Sequence, residues 1–386
     1  MATLSLIDIR LLDLLRIALG ADPSMQNTCT AEEWRLIYNR AKEHAILGLL
    51  YKAVLTLSDK QMPPSDIIGR LYSDAQFIRT QNENVRAVSL SLQSKFREAG
   101  FCTAILKGTG NGLLYYNIRA KRDDGNDIGT YRTAGDIDIW LIANGCTSID
   151  ANRIAVIDYV RKFTPLVDAR IHHIELSPVG GVPVEAHYVP MFFYSFRSQR
   201  RFQKLCILQA QRQTHNKCDG LYVPTADFNA VYQLSHILRH LFEEGVGLKQ
   251  IVDYYYVLLS LHDCETNDGQ LLDVAREIDN LCMHRLAAAM MYVMQTAFHL
   301  PNAYLICKPE ERLGQILMRE VLGGGYLGIY DNRKSEWRLK GKIAMFVWKW
   351  KFNMRLWLLC PREVLCGPLF RLWHYGWRRH NGYIPS

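Results

Sequence analysis

The sequence has no long apolar run and no segment with the features of a signal peptide. No stretch of about 18 consecutive apolar residues occurs, so the sequence predicts no transmembrane helix. The first ten residues carry Asp8 and Arg10 among their apolar positions and therefore lack a signal-peptide core. We expect a cytoplasmic protein without a membrane span.

Cysteine pairs with metal-ligand spacing are also missing. Ten cysteines are scattered along the chain without a C-x-x-C pair, and the H-x-x-C run from His215 to Cys218 has no second ligand pair beside it. This pattern argues against a disulfide framework and against a structural zinc site. It favours reduced thiols, which agrees with a cytoplasmic location.

The chain has no internal repeat and no low-complexity segment. Its 386 residues, of which 49% are hydrophobic, exceed the usual size of one domain, so two or three domains with their own cores are predicted. Changes in the hydrophobic period divide the chain into segments 1–80, 81–200, 201–330 and 331–386. The first and third of these segments have the helical period.

Positive charge is concentrated near the C-terminus. The net charge of +8 favours phosphate-bearing partners, and residues 333–379 hold twelve Lys or Arg against two Glu, together with six of the eight Trp. Three interpretations of this tail stay open. It is an interfacial helix on an anionic membrane, an aromatic and basic platform for nucleic acid, or a packed helical cap with a solvated basic face.

The N-terminal segment is predicted to consist of helices. Thr30 begins a capping box, and a long amphipathic helix is expected from Ser65 or Asp74 to Ala99, with Gly100 as its stop. After Gly100 the period changes to that of strands. Residues 101–106 predict a strand, 107–110 a glycine turn and 111–116 a helix, an order that can hold phosphate oxygens on backbone N–H groups.

Residues 117–133 are polar and punctuated by glycine, which predicts an exposed loop. Its acids Asp123, Asp124 and Asp127 lack the spacing and the later Glu of an EF-hand, so we reject a calcium loop. Further strands are predicted at 136–142, 171–176 and 182–189, with a helix at 150–162 and a hairpin turn at 178–183. From about residue 201 onward the chain is expected to be all-α apart from loops.

Three acids are the candidate catalytic residues. Because side chains alternate along a strand, Asp136 and Asp138 face the same side, and a divalent cation is the usual partner for two such carboxylates. Glu185, in an otherwise apolar strand, needs a partner and shares a face with His187. Nucleotidyl transfer uses carboxylates to place metal ions on the attacking and leaving oxygens. The alternatives are a solvated acid pair for the two Asp and a salt bridge for Glu185.

Five short motifs together resemble a known family. They are the run from Leu106 to Gly108, R-x-x-G-D-I-D at 132–138, V-E-x-H at 184–187, H-x-x-x-H-L at 236–241 and G-L-K-Q-x-x-D at 247–253. The chain is similar to the nucleotidyltransferase superfamily with the DNA polymerase beta palm fold. It most resembles a bacterial, largely uncharacterised branch of that superfamily.

The resemblance implies an α+β fold, with a small mixed β-sheet as the polymerase beta palm-like core between N-terminal helices and a C-terminal all-α domain. It implies transfer of NMP from an NTP, with ATP as the first choice, assisted by two Mg²⁺ ions or by Mn²⁺. Asp136, Asp138 and Glu185 are then the catalytic and metal-binding residues. The nucleotide-binding residues expected are Lys107, Gly108, Thr109, Arg132 and Lys249.

Several bland interpretations accompany these residues. Lys107 and Lys249 are equally explained as surface lysines. Asp253, one turn after Lys249, either orients Lys249 or is an ordinary helix residue. His236 and His240 share a helix face, but no third ligand or intervening Glu supports zinc, so packing or capping of the cleft is expected.

The acceptor carries no sequence signal. A small molecule or sugar precursor is the first expectation, a protein or tRNA modified by a toxin-like enzyme is the alternative, and a non-catalytic nucleotide-binding regulator is the second alternative. The presence of all three acids, Asp136, Asp138 and Glu185, argues against the regulator.

Overall fold

A computed structural model describes residues 4–22, 24–25, 27–120, 128–163, 169–215, 217–265, 272–329, 331, 341–381 and 383. Asp123, Asp124 and Asp127, for which a calcium loop was considered, lie outside the described residues. The same is true of residues 332–340, which begin the basic tail. None of the ten cysteines forms a disulfide. No helix in the described part of the chain combines the length and apolar character needed to cross a bilayer.

The N-terminal segment forms helices, as the hydrophobic period predicts. Their bounds are α1 Leu6–Ala18, α2 Ala31–Glu43, α3 Leu47–Val54 and α4 Ser65–Glu98. The Thr30 hydroxyl accepts from the Glu33 N–H and the Glu33 carboxylate accepts from the Thr30 N–H, so the predicted capping box is confirmed. The long helix α4 begins at the earlier of the two predicted starts, Ser65.

A four-stranded mixed sheet follows. The strands are β1 Phe101–Ile105, β2 Ile137–Ala143, β3 His173–Val179 and β4 Val182–His187, in the order β1-β2-β4-β3. β2 pairs with β4 in parallel, whereas β1 with β2 and β3 with β4 are antiparallel. Gly180 and Gly181, with φ of +57° and +78°, make the β3–β4 turn, which is tighter than the predicted 178–183 turn.

The register of the strands brings the candidate acids together. Asp138 lies opposite Glu185 across the parallel pair β2 and β4, and His173 lies opposite His187 across β3 and β4. On the same face as Asp138, the ring of Trp140 stacks on a helix residue, Phe228. The alternate positions of β2 are buried apolar residues, which hold the strand in the core.

The predicted exposed loop at 117–133 is partly wrong. Helix α5 runs over Thr109–Ala120, and residues 128–131 form a short 3₁₀ helix in which Ile128 is fully buried. The Asn82 side chain of α4 donates to the backbone carbonyls of Thr130 and Arg132, at 2.8 and 2.7 Å. The polar composition of the segment conceals this apolar anchor, which fixes the chain just before Asp136.

The rest of the chain is mostly helical. The helices are α6 Ile149–Arg161, α7 Phe196–His215, α8 Ala226–Glu243, α9 Leu248–Glu265, α10 Val274–Asn280, α11 His284–Phe298, α12 Glu311–Gly324, α13 Gly341–Asn353 and α14 Pro361–His380. A small hairpin, β5 Lys217–Cys218 with β6 Leu221–Tyr222, is the exception to the predicted all-α segment. The α+β prediction, with a small mixed sheet among many helices, is confirmed.

Helix α8 lies at the centre of this arrangement and is buried from Asp227 to Arg239. It packs against the acidic face of the sheet through Phe228, against α9, and against the C-terminal helix α14 through an ion pair between Arg239 and Glu363. The side of the sheet that carries Asp138 is therefore roofed by helices from the second half of the chain. The division into four predicted segments stays a prediction.

Candidate active site

A cleft of about 720 Å³ lies between the sheet and the helices that roof it. Its floor is the face of the sheet that carries Asp138 and Glu185, and its roof comes from α8 and the beginning of α9. Residues 326–327 and the inner side of α14 complete the wall. A volume of this size accommodates a ligand the size of a nucleotide.

The glycine turn after β1 forms one end of the cleft. Gly108 has φ of +61°, and a Cβ at this position would lie 3.2 Å from the Asp136 carbonyl oxygen. Gly110 approaches β1 even more closely, because its Cβ would lie 2.7 Å from the Ile105 carbonyl oxygen. Because neither glycine has a side chain, the start of α5 can lie directly against the sheet beside the acids. The amide of Gln233 in α8 donates to the Leu106 carbonyl at 3.2 Å and holds the turn from above.

Lys107 faces both acids of the D-x-D pair. Its Nζ lies 3.2 Å from Asp138 Oδ1 and 3.6 Å from Asp136 Oδ2. Burial disfavours the charge of Lys107, but the two carboxylates outweigh it and hold the pKa of this lysine well above its ordinary value. Both carboxylates therefore face the same ammonium group, although Asp136 lies one residue before β2 and not within the predicted strand.

Asp138 is the most buried of the acids. Only 1% of its surface is exposed, and Oδ1 accepts from His187 Nε2 at 2.9 Å. Its second oxygen, Oδ2, is buried without a hydrogen-bond partner among the described residues. An unpartnered buried carboxylate oxygen is costly unless a ligand occupies it. Asp138 is therefore prepared for a cation or a donor that is not part of the chain.

Glu185 and His187 extend the acidic row along β4. His187 Nε2 lies 3.2 Å from Glu185 Oε2, and His173 Nδ1 lies 3.4 Å from the same oxygen. Burial lowers the pKa of His187, but its bonds to Asp138 and Glu185 dominate and raise it to about 9. Conversely, burial raises the pKa of Glu185, whereas the bond to His187 lowers it and leaves the net value below the ordinary one. Glu185 is thus a carboxylate at neutral pH.

Arg132 is held by an ion pair from the helical part of the chain. Its Nε and Nη2 each donate to one oxygen of Asp253 in α9, both at 2.7 Å. Tyr115 of α5 donates to the same carboxylate at 2.8 Å. Asp253 therefore orients Arg132 rather than Lys249, which differs from the pairing expected from the sequence. The bidentate pair joins the segment before β2 to α9.

Lys249 stands above the D-x-D pair at the start of α9. A Cβ on Gly135 would lie 3.6 Å from Lys249 Nζ, and this ammonium lies 4.7 Å from the centre of the Tyr326 ring. The side chain is 5% exposed and forms no ion pair with a described residue. Burial, with the nearby charge of Arg132, lowers the pKa of Lys249 to about 7.

Tyr326 is placed by contacts between two backbones. A Cβ on Gly247 would lie 2.9 Å from the Tyr326 amide nitrogen, and one on Gly245 would lie 2.7 Å from the Gly328 amide nitrogen. Glycines at these two positions let residues 325–328 lie directly on the α8–α9 connection. The aromatic ring is thereby brought over Lys249 at the mouth of the cleft.

Helix α14 forms the wall opposite the glycine turn. Glu363 accepts from the backbone N–H groups of Tyr194 and Ser195, at 2.7 and 2.9 Å, and from Arg239 at 2.9 Å. Further along α14, Arg371 donates to Glu243 at 2.6 Å. The packed-cap interpretation of the tail is the one that these contacts support. Contact with nucleic acid or with a membrane stays a prediction.

Seven of the eight predicted site residues line this cleft, namely Lys107, Gly108, Arg132, Asp136, Asp138, Glu185 and Lys249. Thr109 is not among the described residues that line it and borders a separate depression of about 90 Å³ instead. His236 and His240 do line the cleft, with their Nε2 atoms 2.9 Å apart, in agreement with the expected packing role. Burial keeps the pKa of His236 well below its ordinary value.

Several residues of the cleft were not identified from the sequence. His172 and His173 precede and begin β3, and their ring nitrogens Nε2 and Nδ1 lie 3.0 Å apart. The adjacent pair of histidines at a strand start is a signal that was available. Tyr326 and Arg371 carried no such signal, because their positions depend on packing between segments far apart in the chain.

The side chains present fit a divalent cation. Asp138, Glu185 and His187 each offer one ligand atom, and the three atoms lie within 4.8 Å of one another. Carboxylate oxygens are the ligands that Mg²⁺ and Mn²⁺ prefer, and Asp138 Oδ2 has no hydrogen-bond partner among the described residues. Asp136, which is more exposed than Asp138, adds a further carboxylate next to Lys107.

A small mixed sheet, a glycine turn leading into a helix and a row of acids in one cleft define a nucleotidyltransferase. The chain belongs to the family described as "Uncharacterised nucleotidyltransferase", which matches residues 30–296. The protein is accordingly an enzyme that transfers phosphorus-containing groups. No curated protein and no solved structure matches the chain significantly. Helices α13 and α14 lie outside the matched residues.

Proposed function

We propose that the enzyme moves NMP from an NTP to a hydroxyl or phosphate of an acceptor, with divalent metal ions bound at Asp136, Asp138 and Glu185. The observation that carries this proposal is the unpartnered Oδ2 of Asp138, buried beside Lys107 at a glycine turn. Mg²⁺ or Mn²⁺, two ions in our expectation, would neutralise the phosphate oxygens and polarise the α-phosphorus.

The nucleotide would lie with its triphosphate between the glycine turn and the start of α9. The cations Lys107 and Lys249 both line this space, and the start of α5 offers backbone N–H groups after Gly108. Arg132 is held on Asp253, so we assign it the role of positioning α9 and adding positive charge. The contribution of Thr109, which lies off the cleft, is expected to be small.

The reaction forms a bond between the acceptor oxygen and the α-phosphorus and breaks the bond from the α-phosphorus to the bridging oxygen, so that pyrophosphate leaves. Glu185 is the base we assign to the acceptor hydroxyl, because it is a carboxylate at neutral pH and lies opposite Asp138 on the floor of the cleft. His187 donates through Nε2 to Asp138 at 2.9 Å and to Glu185 at 3.2 Å. It thereby holds both carboxylates in place.

A small acceptor, such as a sugar precursor, fits the far end of the cleft. There the rings of Phe192 and Phe370 stack at 5.3 Å with 18° between their planes, and both line the cleft beside Arg371. An aromatic face with an adjacent guanidinium suits a polar ring bearing a phosphate. A protein or tRNA acceptor is the alternative, and a nucleotide-binding regulator without turnover is the second alternative.

Labelled NTP separates these possibilities. Purified protein with Mg²⁺ and α-labelled ATP is incubated with small-molecule and macromolecular fractions of a lysate. We expect labelled small-molecule product, and we expect Asp138→Asn to lower transfer by a factor of about a thousand, since metal sites contribute several kcal/mol.

Asp158→Asn, an exposed acid of α6, serves as the matched control and should leave transfer unchanged. Label in protein or RNA would favour the alternative acceptor. Tight binding of ATP without any transfer would favour the regulator. Undiminished transfer by the Asp138 variant would refute the site.

A further inference from the structure

A second set of possible metal ligands lies at the other end of the acidic row. One ring nitrogen of each of His172, His173 and His187 lies within 4.8 Å of the others. His172 and His173 are 9% exposed and His187 is 3% exposed, so all three are buried at the cleft wall. Glu185 Oε2 lies 3.4 Å from His173 Nδ1 and 3.2 Å from His187 Nε2.

We propose that His172, His173, His187 and Glu185 form a nitrogen-rich site for a divalent transition-metal ion of the Zn²⁺ class. We call it the imidazole site. It differs from the oxygen site at Asp136 and Asp138, at which Mg²⁺ is expected. Its relevance to catalysis rests on the proposed function, whereas metal binding is measured without turnover.

The spacing of the donor atoms matches a coordination shell. Zn–N bonds of about 2.1 Å place neighbouring ligands roughly 3.0 Å apart in an octahedron and roughly 3.4 Å apart in a tetrahedron. The ring nitrogens of His172 and His173 are 3.0 Å apart. Glu185 Oε2 lies 3.4 Å from His173 Nδ1 and 3.2 Å from His187 Nε2, so all three distances are in this range. One ring nitrogen of each histidine thus already lies within 4.8 Å of the others, near the spacing of ligands around one ion.

The sheet holds this arrangement in place. His173 and His187 are directly paired across the antiparallel strands β3 and β4, so both rings project from the same face. His172 precedes β3, and its backbone carbonyl accepts from the Tyr188 N–H at 3.1 Å. Little rearrangement is therefore needed for binding, and His187, which binds a metal ion as the neutral imidazole, releases one proton to solvent.

The chemistry of the donors decides the ion. Imidazole nitrogen suits Zn²⁺ and its first-row neighbours, whereas Mg²⁺ prefers oxygen ligands and keeps several waters. At the opposite end of the row, Lys107 lies against Asp136 and Asp138, and these two residues offer only oxygen atoms. One cleft therefore presents two kinds of metal site, and Glu185 is within reach of both.

The test is Co²⁺ and Zn²⁺ binding to the metal-free, full-length protein. We expect one equivalent of Co²⁺ to give visible ligand-field bands that Zn²⁺ abolishes and that a large excess of Mg²⁺ leaves in place. His173→Asn and His172→Asn should each weaken Zn²⁺ binding by a factor of about 10 to 100 or more. The control His262→Asn replaces a histidine that contacts Tyr304 and does not line the cleft, and this variant should bind Zn²⁺ normally.

Thermal unfolding with and without Zn²⁺ shows that each variant is folded and reports binding independently. Displacement of Co²⁺ by equimolar Mg²⁺, or unchanged Zn²⁺ affinity in both variants, would overturn the imidazole site. NTP transfer with Mg²⁺ in a protein that does not bind Zn²⁺ would leave the proposed function standing alone. Zn²⁺ binding by a protein that never turns over NTP would leave the imidazole site standing alone.

Discussion

The floor of the cleft and its α14 wall both bury charged residues, but the hydrogen bonding of the buried carboxylates differs. At the wall, Glu363 accepts from two backbone N–H groups and from Arg239, so both of its oxygens are used. On the floor, Asp138 keeps one buried oxygen without a partner among the described residues, and Lys249 has no carboxylate partner there. The carboxylate of the wall is thus fully paired and structural, whereas the carboxylate of the floor keeps one oxygen for a ligand.

The largest effect is expected at the wall. Glu363→Ala leaves the guanidinium of Arg239 buried without its charge partner and frees two N–H groups, so the free energy of unfolding should fall by about 3 to 5 kcal/mol. Urea unfolding measures this loss. Replacing both partners, as Arg239→Met with Glu363→Leu, should restore much of the stability. An equally unstable double variant would assign the loss to the two freed N–H groups rather than to the unpaired guanidinium.

The next effect concerns the pair that joins floor and roof. Arg132→Lys loses the bidentate ion pair with Asp253. The loss should lower the free energy of unfolding or of nucleotide binding by about 2 kcal/mol. Urea unfolding and ATP binding, measured on the same variant, show how the loss is divided. Arg161→Lys, at an exposed arginine of α6, is the matched control. A variant that loses neither would mean that the pair is not needed to hold α9.

The pH dependence of nucleotide binding tests the unpaired lysine. Because the pKa of Lys249 is lowered to about 7, this side chain is mostly neutral above pH 7 in the free protein, and bound triphosphate would restore its charge. ATP affinity should therefore fall as pH rises above 7, by at most about tenfold per pH unit, with uptake of a proton.

Calorimetry in two buffers of different ionisation enthalpy measures this proton. Lys249→Arg, which stays protonated, should bind ATP without proton uptake. Equal uptake by the wild-type and the Arg variants would assign the proton to another group.

The smallest effect is expected just outside the floor. Thr109 borders a separate depression, so Thr109→Val should change ATP affinity by no more than about 0.5 kcal/mol. Gly108 has φ of +61°, which is strained for a residue with a Cβ, so Gly108→Ala should lose more ATP affinity than Thr109→Val. ATP titration of both variants measures the difference. A large loss from the Thr109 variant alone would move the boundary of the site.

The alternation of strand side chains predicted Asp136 and Asp138 on one face, whereas Lys107 was expected as a nucleotide ligand or a surface lysine and not as a partner of the two acids. The parallel pairing of β2 with β4, which sets Asp138 opposite Glu185, depends on strand order and could not be read from local pattern. Tyr326 reaches the cleft through a backbone contact with residues some eighty positions earlier. The segment 117–133 was misjudged because one buried residue, Ile128, outweighs its polar neighbours.

The close approach of Gly245 and Gly247 to residues 325–328 also limits which sequences can carry this site. A side chain at 245 would meet the Gly328 backbone at 2.7 Å, and no rotamer change relieves a collision with backbone atoms. Substitution at either glycine therefore requires an accompanying change in the later segment. Among related chains, positions 245 and 247 should vary together with 325–328, although neither segment contains an acid of the catalytic row.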